Sequence, residues 1–536
     1  MSKSSSQNYL HGAAILAASV VIIKILGAVY KIPLGNILGD EGYTHFMVAY
    51  NIYNVLLTIS TAGLPIALSR LISEANTMRR PLQVKRIYRV AMVTFVVLGA
   101  IASLAMFLFP TELAAKMGDV EAAQSIWVLS PSVILVCVMS ASRGYAEGHS
   151  NMVPTSISQV IEVAVKVVFG LVLAFILSRL GKSLPVLAAA AVSGVTVGSL
   201  VAAVYIFISV QRQYRPGTLT ASDLDVPEPS GVIFTRLIKI GVPIALGASV
   251  SSLMTLIDSN LVLNRLQGAA GFTYHDAKVL YGVYAKALTL YNLPAAFVTP
   301  LTISIVPAIT STLTAKRRTE AKNITESSLR IATILALPMA VGMCALSYPI
   351  MRVLYPTSAE QGPALLAVMG LASFFVCMVL MTTAVLQAYG KERLPVYTLL
   401  SGAVLKIILN WVLIGNPNIG IYGAPISTIV CNAFMCVMNY IFIIQKANAL
   451  ISLKNILLRP LISSAVMGVS AYGVYRLVLS ILPGSGRLVL AVAMCAGVGV
   501  GVVLYLVLTV VTKSITHEDM DLLPGGKKLA KLLRIR

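Results

Sequence analysis

The sequence predicts an all-α integral membrane protein: about fourteen transmembrane helices, in two six-helix lobes related by a parallel repeat, plus two C-terminal helices. Three observations predict it. Hydrophobic residues make up 57% of the 536-residue chain and charged residues only 11%, against roughly 25% charged in soluble domains. The apolar residues gather into stretches of about 20 residues, enough to cross a hydrocarbon core. Finally, motifs in the first half recur in the second.

The first span, 10–34, follows the polar "MSKSSSQN" and has no small-residue cleavage site, so it reads as a retained helix rather than a signal peptide. The others fall at 43–72, 88–110, 125–142, 155–178, 184–210, 233–264, 279–314, 327–351, 363–388, 395–414, 421–444, 457–481 and 488–512. "PIALSRL" at 65–71 resembles "PAITSTL" at 307–313, an offset of 242. Gly148 pairs with Gly390, Pro154 with Pro395 and Lys166 with Lys406, at offsets of 242, 241 and 240. Six spans separate the copies, an even number, so the copies share an orientation. The domains expected are an N-lobe at 1–210, a cytoplasmic linker at 211–231, a C-lobe at 232–445, and the last two spans with a basic tail at 446–536. Two facing parallel-repeat bundles are a transporter architecture, with alternating access to a cavity near mid-membrane.

The net charge of +21 is mostly topology. Lys and Arg cluster in alternate loops, such as "MRRPLQVKRIYR" and "KRRTEAK", and in the terminal "KKLAKLLRIR", whereas "GNILGDEG" and "GNPNIG" carry few. This positive-inside pattern places both termini in the cytoplasm and argues against nucleic acid as the partner. The tail reads as a basic amphipathic segment for anionic membrane lipids. All six cysteines lie in apolar spans without ligand spacing, and the five histidines are scattered, so no metal site is expected.

Charge inside the spans carries the functional information. Lys24 and Lys31 are seven residues apart on one face of span 1, and Lys24 lies roughly 22 Å along the helix. They face a cavity, or they snorkel. In span 5, Glu162 and Lys166 have the i,i+4 spacing of an ion pair; alternatively Lys166 faces the cavity and Glu162 sets its charge. Lys406 has Asn410 one turn on and no acid nearby, so its counter-charge comes from another helix or a ligand. Asp258 and Lys286 pair with each other or serve the cavity. Arg70, Arg143, Glu147 and His149 lie at the cytoplasmic ends of spans 2 and 4; Arg143 and Glu147 are again spaced i,i+4, as a gate or headgroup contact or as a plain surface pair. Tyr50, Asn51, Tyr53 and Asn54 suit a wet cavity or interhelical hydrogen bonds. Deep cations outnumber deep anions, which points to an anionic ligand, better a phosphate or diphosphate than a carboxylate. The small-residue run "CAGVGVGVV" of span 14 suits tight packing or a groove for a lipid tail.

"KILGAVYKIPLGNILGDEGY", "GLPIALSRLISEA" and "RGYAEGHSNMVPTSISQVIE" resemble the stage V sporulation protein B branch of the multidrug/oligosaccharidyl-lipid/polysaccharide exporter superfamily, whose members include MurJ-type lipid II flippases. The resemblance implies two six-helix lobes plus two helices, and basic residues of helix 1 meeting the diphosphate of a lipid-linked sugar. Lys24 matches the first such position and Lys31 falls one residue from the second. Asn51 and Lys286 stand near positions where those flippases carry arginines. Asp258 and Asn410 resemble positions near a sodium site in some relatives.

The function expected is therefore a flippase moving an undecaprenyl-diphosphate-linked cell-wall precursor, lipid II, from the inner to the outer leaflet of a bacterial plasma membrane. A flippase for another lipid-linked polysaccharide and a cation-coupled multidrug exporter are the alternatives. No cofactor is expected beyond coupling to sodium, protons or membrane potential, and a single copy suffices. A membrane-embedded glycan polymerase or glycosyltransferase would need an acid/base constellation on sizeable loops, and the outer loops are short.

Overall fold

A computed structural model describes residues 3–213, 225–447, 454–482, 484, 486–512 and 514–515. Those residues form α-helices and short turns, with no strand among them. The first seven helices are α1 (Lys3–Thr61), α2 (Leu64–Thr77), α3 (Pro81–Leu108), α4 (Pro110–Lys116), α5 (Ala123–Gly148), α6 (Val153–Arg179) and α7 (Leu184–Gln213). Next come α8 (Ser230–Gly268), α9 (Tyr274–Tyr291), α10 (Leu293–Thr314), α11 (Arg318–Ala345) and α12 (Ser347–Leu354). The last five are α13 (Gly362–Ala388), α14 (Arg393–Ile414), α15 (Gly423–Ala447), α16 (Arg459–Ile481) and α17 (Arg487–Val511). Among the described residues, thirteen stretches are helical, long and apolar enough to cross a membrane.

The first two expected spans share α1, and Gly39 is the corner between them. Its φ of 69° and ψ of −165° interrupt the helix at one residue, in a region that favours glycine. Sixteen residues of straight helix would separate Tyr30 from Phe46 by about 24 Å, yet their ring centroids lie 6.0 Å apart. The helix therefore folds back into two arms. The expected loop "GNILGDEG" is helical on both sides of that corner, and only one residue makes the turn.

The helices are apolar on the outside. On α3, Val93, Val97, Ile101 and Leu104 are exposed while Ala91, Phe95, Ala102 and Met106 are buried. On α14, Tyr397, Leu400, Val404, Ile408 and Trp411 form a similar exposed stripe. Such faces, with spacings of three and four residues, suit lipid. Helices also satisfy their own backbone donors and acceptors, as hydrocarbon demands.

The chain divides into two compact units, Met1–Asn264 and Arg265–Arg536. Most of α8 thus belongs to the first unit, whereas the sequence opens the second lobe at 232. The attachments explain the difference. Thr58 and Ser252 share a hydrogen bond of 2.9 Å, and Arg236 bonds Glu74 at 2.9 Å. Residues 214–224 of the expected linker, and the tail from 516, lie outside the described residues. The linker's end is docked: Asp225 accepts from the backbone N–H groups of Leu82 and Gln83 at 2.6 and 3.3 Å, capping α3.

In the first unit α6 and α7 pack backbone to backbone. A Cβ on Gly194 would lie 2.6 Å from the Lys166 carbonyl oxygen, and one on Gly198 would lie 2.5 Å from that of Glu162. Small residues one turn apart permit this approach. In the second unit Val298, Ile305 and Ile309 of α10 pack with Leu329 and Ala332 of α11 and Met381 and Val385 of α13.

The repeat is visible in the element order. The series α3, α4, a 3₁₀ turn, α5, α6, α7 is matched by α11, α12, a 3₁₀ turn, α13, α14, α15, with one further 3₁₀ turn, Gly420–Tyr422, before α15. Left-handed residues recur at equivalent turns, Arg79 and Lys316 before α3 and α11, Ser150 and Gly390 before α6 and α14.

Candidate functional site: a lysine and aromatic cluster

The fold-back at Gly39 sets the two arms of α1 side by side. Along the second arm, Tyr43, Phe46, Tyr50 and Tyr53 recur every three or four residues and so share a face. Phe46 stacks with Tyr43 at 5.7 Å and with Tyr50 at 5.6 Å. Tyr30, on the first arm, is buried and donates its hydroxyl to the Ala191 carbonyl at 2.9 Å, which fixes it against α7.

Two lysines converge on these rings. The Lys166 ammonium, from α6, lies 5.7 Å from the Tyr30 centroid and 5.9 Å from that of Tyr50. Lys31 approaches Tyr50 at 5.8 Å. These distances are within about 6 Å, where the negative ring face attracts a cation. The sequence places Lys31 and Lys166 among its cavity candidates, and the structure sets them around one ring. Lys24 lies on the helical first arm; its side chain is outside the described residues.

Glu162 does not take Lys166 as its partner. Arg143 Nη2 donates to Glu162 Oε2 at 3.0 Å and Arg143 Nε donates to Ser158 Oγ at 2.8 Å. Of the alternatives the sequence leaves open, the i,i+4 pairings of Glu162 with Lys166 and of Arg143 with Glu147 give way to this cross-helix contact. Its physical reason is the fork of the guanidinium, which finds two acceptors on the facing turn of α6. Ser199 donates to the other Glu162 oxygen at 3.4 Å. The carboxylate charge is thus held by Arg143, and Lys166 is left to the aromatic face.

Asn51 is buried and lines a polar cleft of about 220 Å³ with Asn54 and Thr58 of α1 and Ser251, Ser252 and Thr255 of α8. Asp258 is buried further along α8. Arg70 is exposed on α2, and Glu147 and His149 are half-buried at the end of α5. Burial holds the His149 imidazole below its ordinary pKa.

In the second unit, Lys286 is fully buried, and its ammonium donates to Thr357 Oγ1 at 3.1 Å and Ser358 Oγ at 3.2 Å. Those hydroxyls follow α12, so this lysine sits within side-chain packing. Lys406 is half-buried on α14, and the buried Asn410 accepts a hydrogen bond from Ser427 through its carboxamide oxygen. An apolar cavity of about 570 Å³ opens between α10, α11, α16 and α17, lined by Phe297, Ile331, Leu335, Met467, Gly501 and Tyr505. The small residues of α17 serve two purposes: Gly497 packs on the Ala471 backbone, and Gly501 opens the cavity wall.

The sequence reading missed one constellation. His45 is not isolated: its Nδ1 lies 2.7 Å from Asp119 Oδ2, with Glu41 and Glu121 beside it. The Glu41 to His45 spacing of four was the available signal; Asp119 and Glu121 lie too far along the chain to be assigned by spacing.

The polysaccharide biosynthesis protein family matches residues 9–313, more than half of the chain. The chain belongs to that family. The MatE family matches residues 274–412. The uncharacterized membrane protein YabM of Bacillus subtilis (strain 168) is 26% identical over 529 residues, covering 98% of this chain and 96% of its own. The lipid II flippase MurJ of the same organism is 26% identical over 525 residues, covering 93% and 95%. Its stage V sporulation protein B is 23% identical over 530 residues, covering 97% and 98%. Among solved structures, that of lipid II flippase MurJ in an inward closed conformation superposes with a TM-score of 0.65 at 15% identity, covering 94% of this family member and 98% of that chain. The fold expected from the sequence is the fold observed.

Proposed function

We propose that this chain is a flippase that carries an undecaprenyl-diphosphate-linked glycan precursor, lipid II in the first instance, from the inner to the outer leaflet of a bacterial plasma membrane. It is a multi-pass membrane transporter by family and fold, and its named relatives include a flippase and no enzyme. The observation that carries the substrate reading is the convergence of Lys31 and Lys166 on Tyr50. Two ammonium groups around one ring, with the adjacent Glu162 held by Arg143, offer a diphosphate the charge-assisted hydrogen bonds that replace its hydration. The apolar cavity beside α17 suits an isoprenoid tail, which meets there surroundings as apolar as the lipid it leaves.

The test is complementation. A bacterial host is depleted of its own lipid II flippase, this chain is expressed, and labelled lipid II is measured at the outer surface. Rescue by the parent is expected, with Lys166→Met, expressed to the same level, reduced about 10- to 100-fold, the equivalent of one hydrogen bond to a charged group. A well-expressed parent that fails to rescue removes lipid II as the substrate; a Lys166→Met variant that rescues fully removes the cluster as its site.

A further inference from the structure

The structure assigns a second site: Glu41, His45 and Glu121 form a binding site for a divalent transition-metal ion of the Zn²⁺ class, with Asp119 orienting the histidine. It lies in the first unit, where the second arm of α1 leaves the Gly39 corner and meets the connection between α4 and α5. No step of the proposed transport uses it.

Glu41 and His45 are four residues apart and so project from one face of the arm. His45 is fully buried, as is Asp119. The contact of 2.7 Å between His45 Nδ1 and Asp119 Oδ2 makes Nδ1 the protonated nitrogen, donating to the carboxylate, and leaves the Nε2 lone pair pointing away. This carboxylate–histidine arrangement is the one that orients and strengthens metal-ligating imidazoles.

Nε2 then has nothing to bond. It is buried, and no hydrogen-bond partner meets it. Glu121 Oε2 lies 3.4 Å away but is not aligned for a hydrogen bond. A nitrogen lone pair facing a carboxylate oxygen is repulsive unless a positive charge lies between them. The spacing fits a metal: ligands about 2.1 Å from a tetrahedral centre are about 3.4 Å from one another. The ligand atoms of Glu41, His45 and Glu121 all lie within 4.8 Å of one another. One imidazole with two carboxylates favours Zn²⁺ or a similar ion over Ca²⁺ and Mg²⁺, which prefer all-oxygen shells. Glu121 is 46% exposed, which gives an entry path and a fourth position for water. The ion ties the α1 arm to the α4–α5 connection.

The experiment uses tag-free full-length protein, purified in detergent, stripped with a chelator and titrated with Zn²⁺. Bound metal is counted by elemental analysis after gel filtration, affinity is measured by calorimetry, and thermal unfolding is followed with and without Zn²⁺. About one equivalent should bind and raise the unfolding temperature of the parent. Glu121→Gln, at an exposed position that leaves packing intact, should weaken binding at least about tenfold and lose the thermal shift. Asp119→Asn should weaken it about 10- to 100-fold, as outer-shell changes do. Substoichiometric uptake by the parent overturns the site, leaving a proton to bridge His45 and its acids. Full uptake unchanged in both Glu121→Gln and Glu41→Gln also overturns it.

Discussion

Exchange of partners at Arg143 yields the sharpest prediction. Arg143→Met leaves the Glu162 carboxylate without its guanidinium, and Lys166, one turn along α6, becomes the nearest cation to claim it. The Arg143 and Glu162 side chains are only 12% and 20% exposed and 3.0 Å apart. Removing one member of a buried pair costs about 3–5 kcal/mol, and the residual solvent access here argues for the lower end, about 3 kcal/mol. Part of that is recovered when Lys166 swings to Glu162; holding it there by about 2 kcal/mol lowers its availability to a diphosphate roughly 30-fold. Transport of labelled lipid II, normalised to folded protein, should fall by that order in Arg143→Met. In Arg143→Met with Glu162→Gln it should return to within about threefold of the parent, because the neutral amide does not hold Lys166. If the double variant is as impaired as the single, Arg143 acts on transport directly and the division of charge between Arg143 and Lys166 is wrong.

Two further outcomes follow from packing. Gly198→Val places a side chain where even a Cβ would sit 2.5 Å from the Glu162 carbonyl oxygen; overpacking of this kind costs about 1–3 kcal/mol, read as lower thermal stability in detergent. Lys286→Met keeps the stem but strips the ammonium from Thr357 and Ser358, at about 1–3 kcal/mol of stability. Transport per folded molecule should be unchanged, and a loss of transport at full stability would return Lys286 to the substrate path.

The fold was legible because bilayer chemistry leaves few choices: apolar stretches of the right length become helices, and the paired Pro154 and Pro395 mark equivalent helix starts, whereas Gly390 finds its structural counterpart in Ser150 rather than in Gly148. Lys166 stands out in the sequence for the same reason, since a deep cation needs a destination, and the structure sets its ammonium against Tyr30 and Tyr50. What spacing hid were the partners. An i,i+4 rule describes one isolated helix, whereas Arg143 reached across to Ser158 and Glu162 on its neighbour. His45 and Asp119 are 74 residues apart, and only the return of the chain through α2, α3 and α4 brings them together. The turn at Gly39 is likewise hidden, because "GNILGDEG" has the composition of an eight-residue loop while its backbone stays helical up to one residue.

That corner has a mechanical meaning. A connection one residue long supplies at most about 3.6 Å of reach, so there is no slack between the arms. Sliding of the first arm away from the corner beyond that distance must drag the second or unwind a turn of helix, so pivoting about Gly39 is the motion left to it. Lys31 rides on one arm and Tyr50 on the other. The pair therefore works like the two blades of a folded rule, which swing together about one pin and keep their markings aligned.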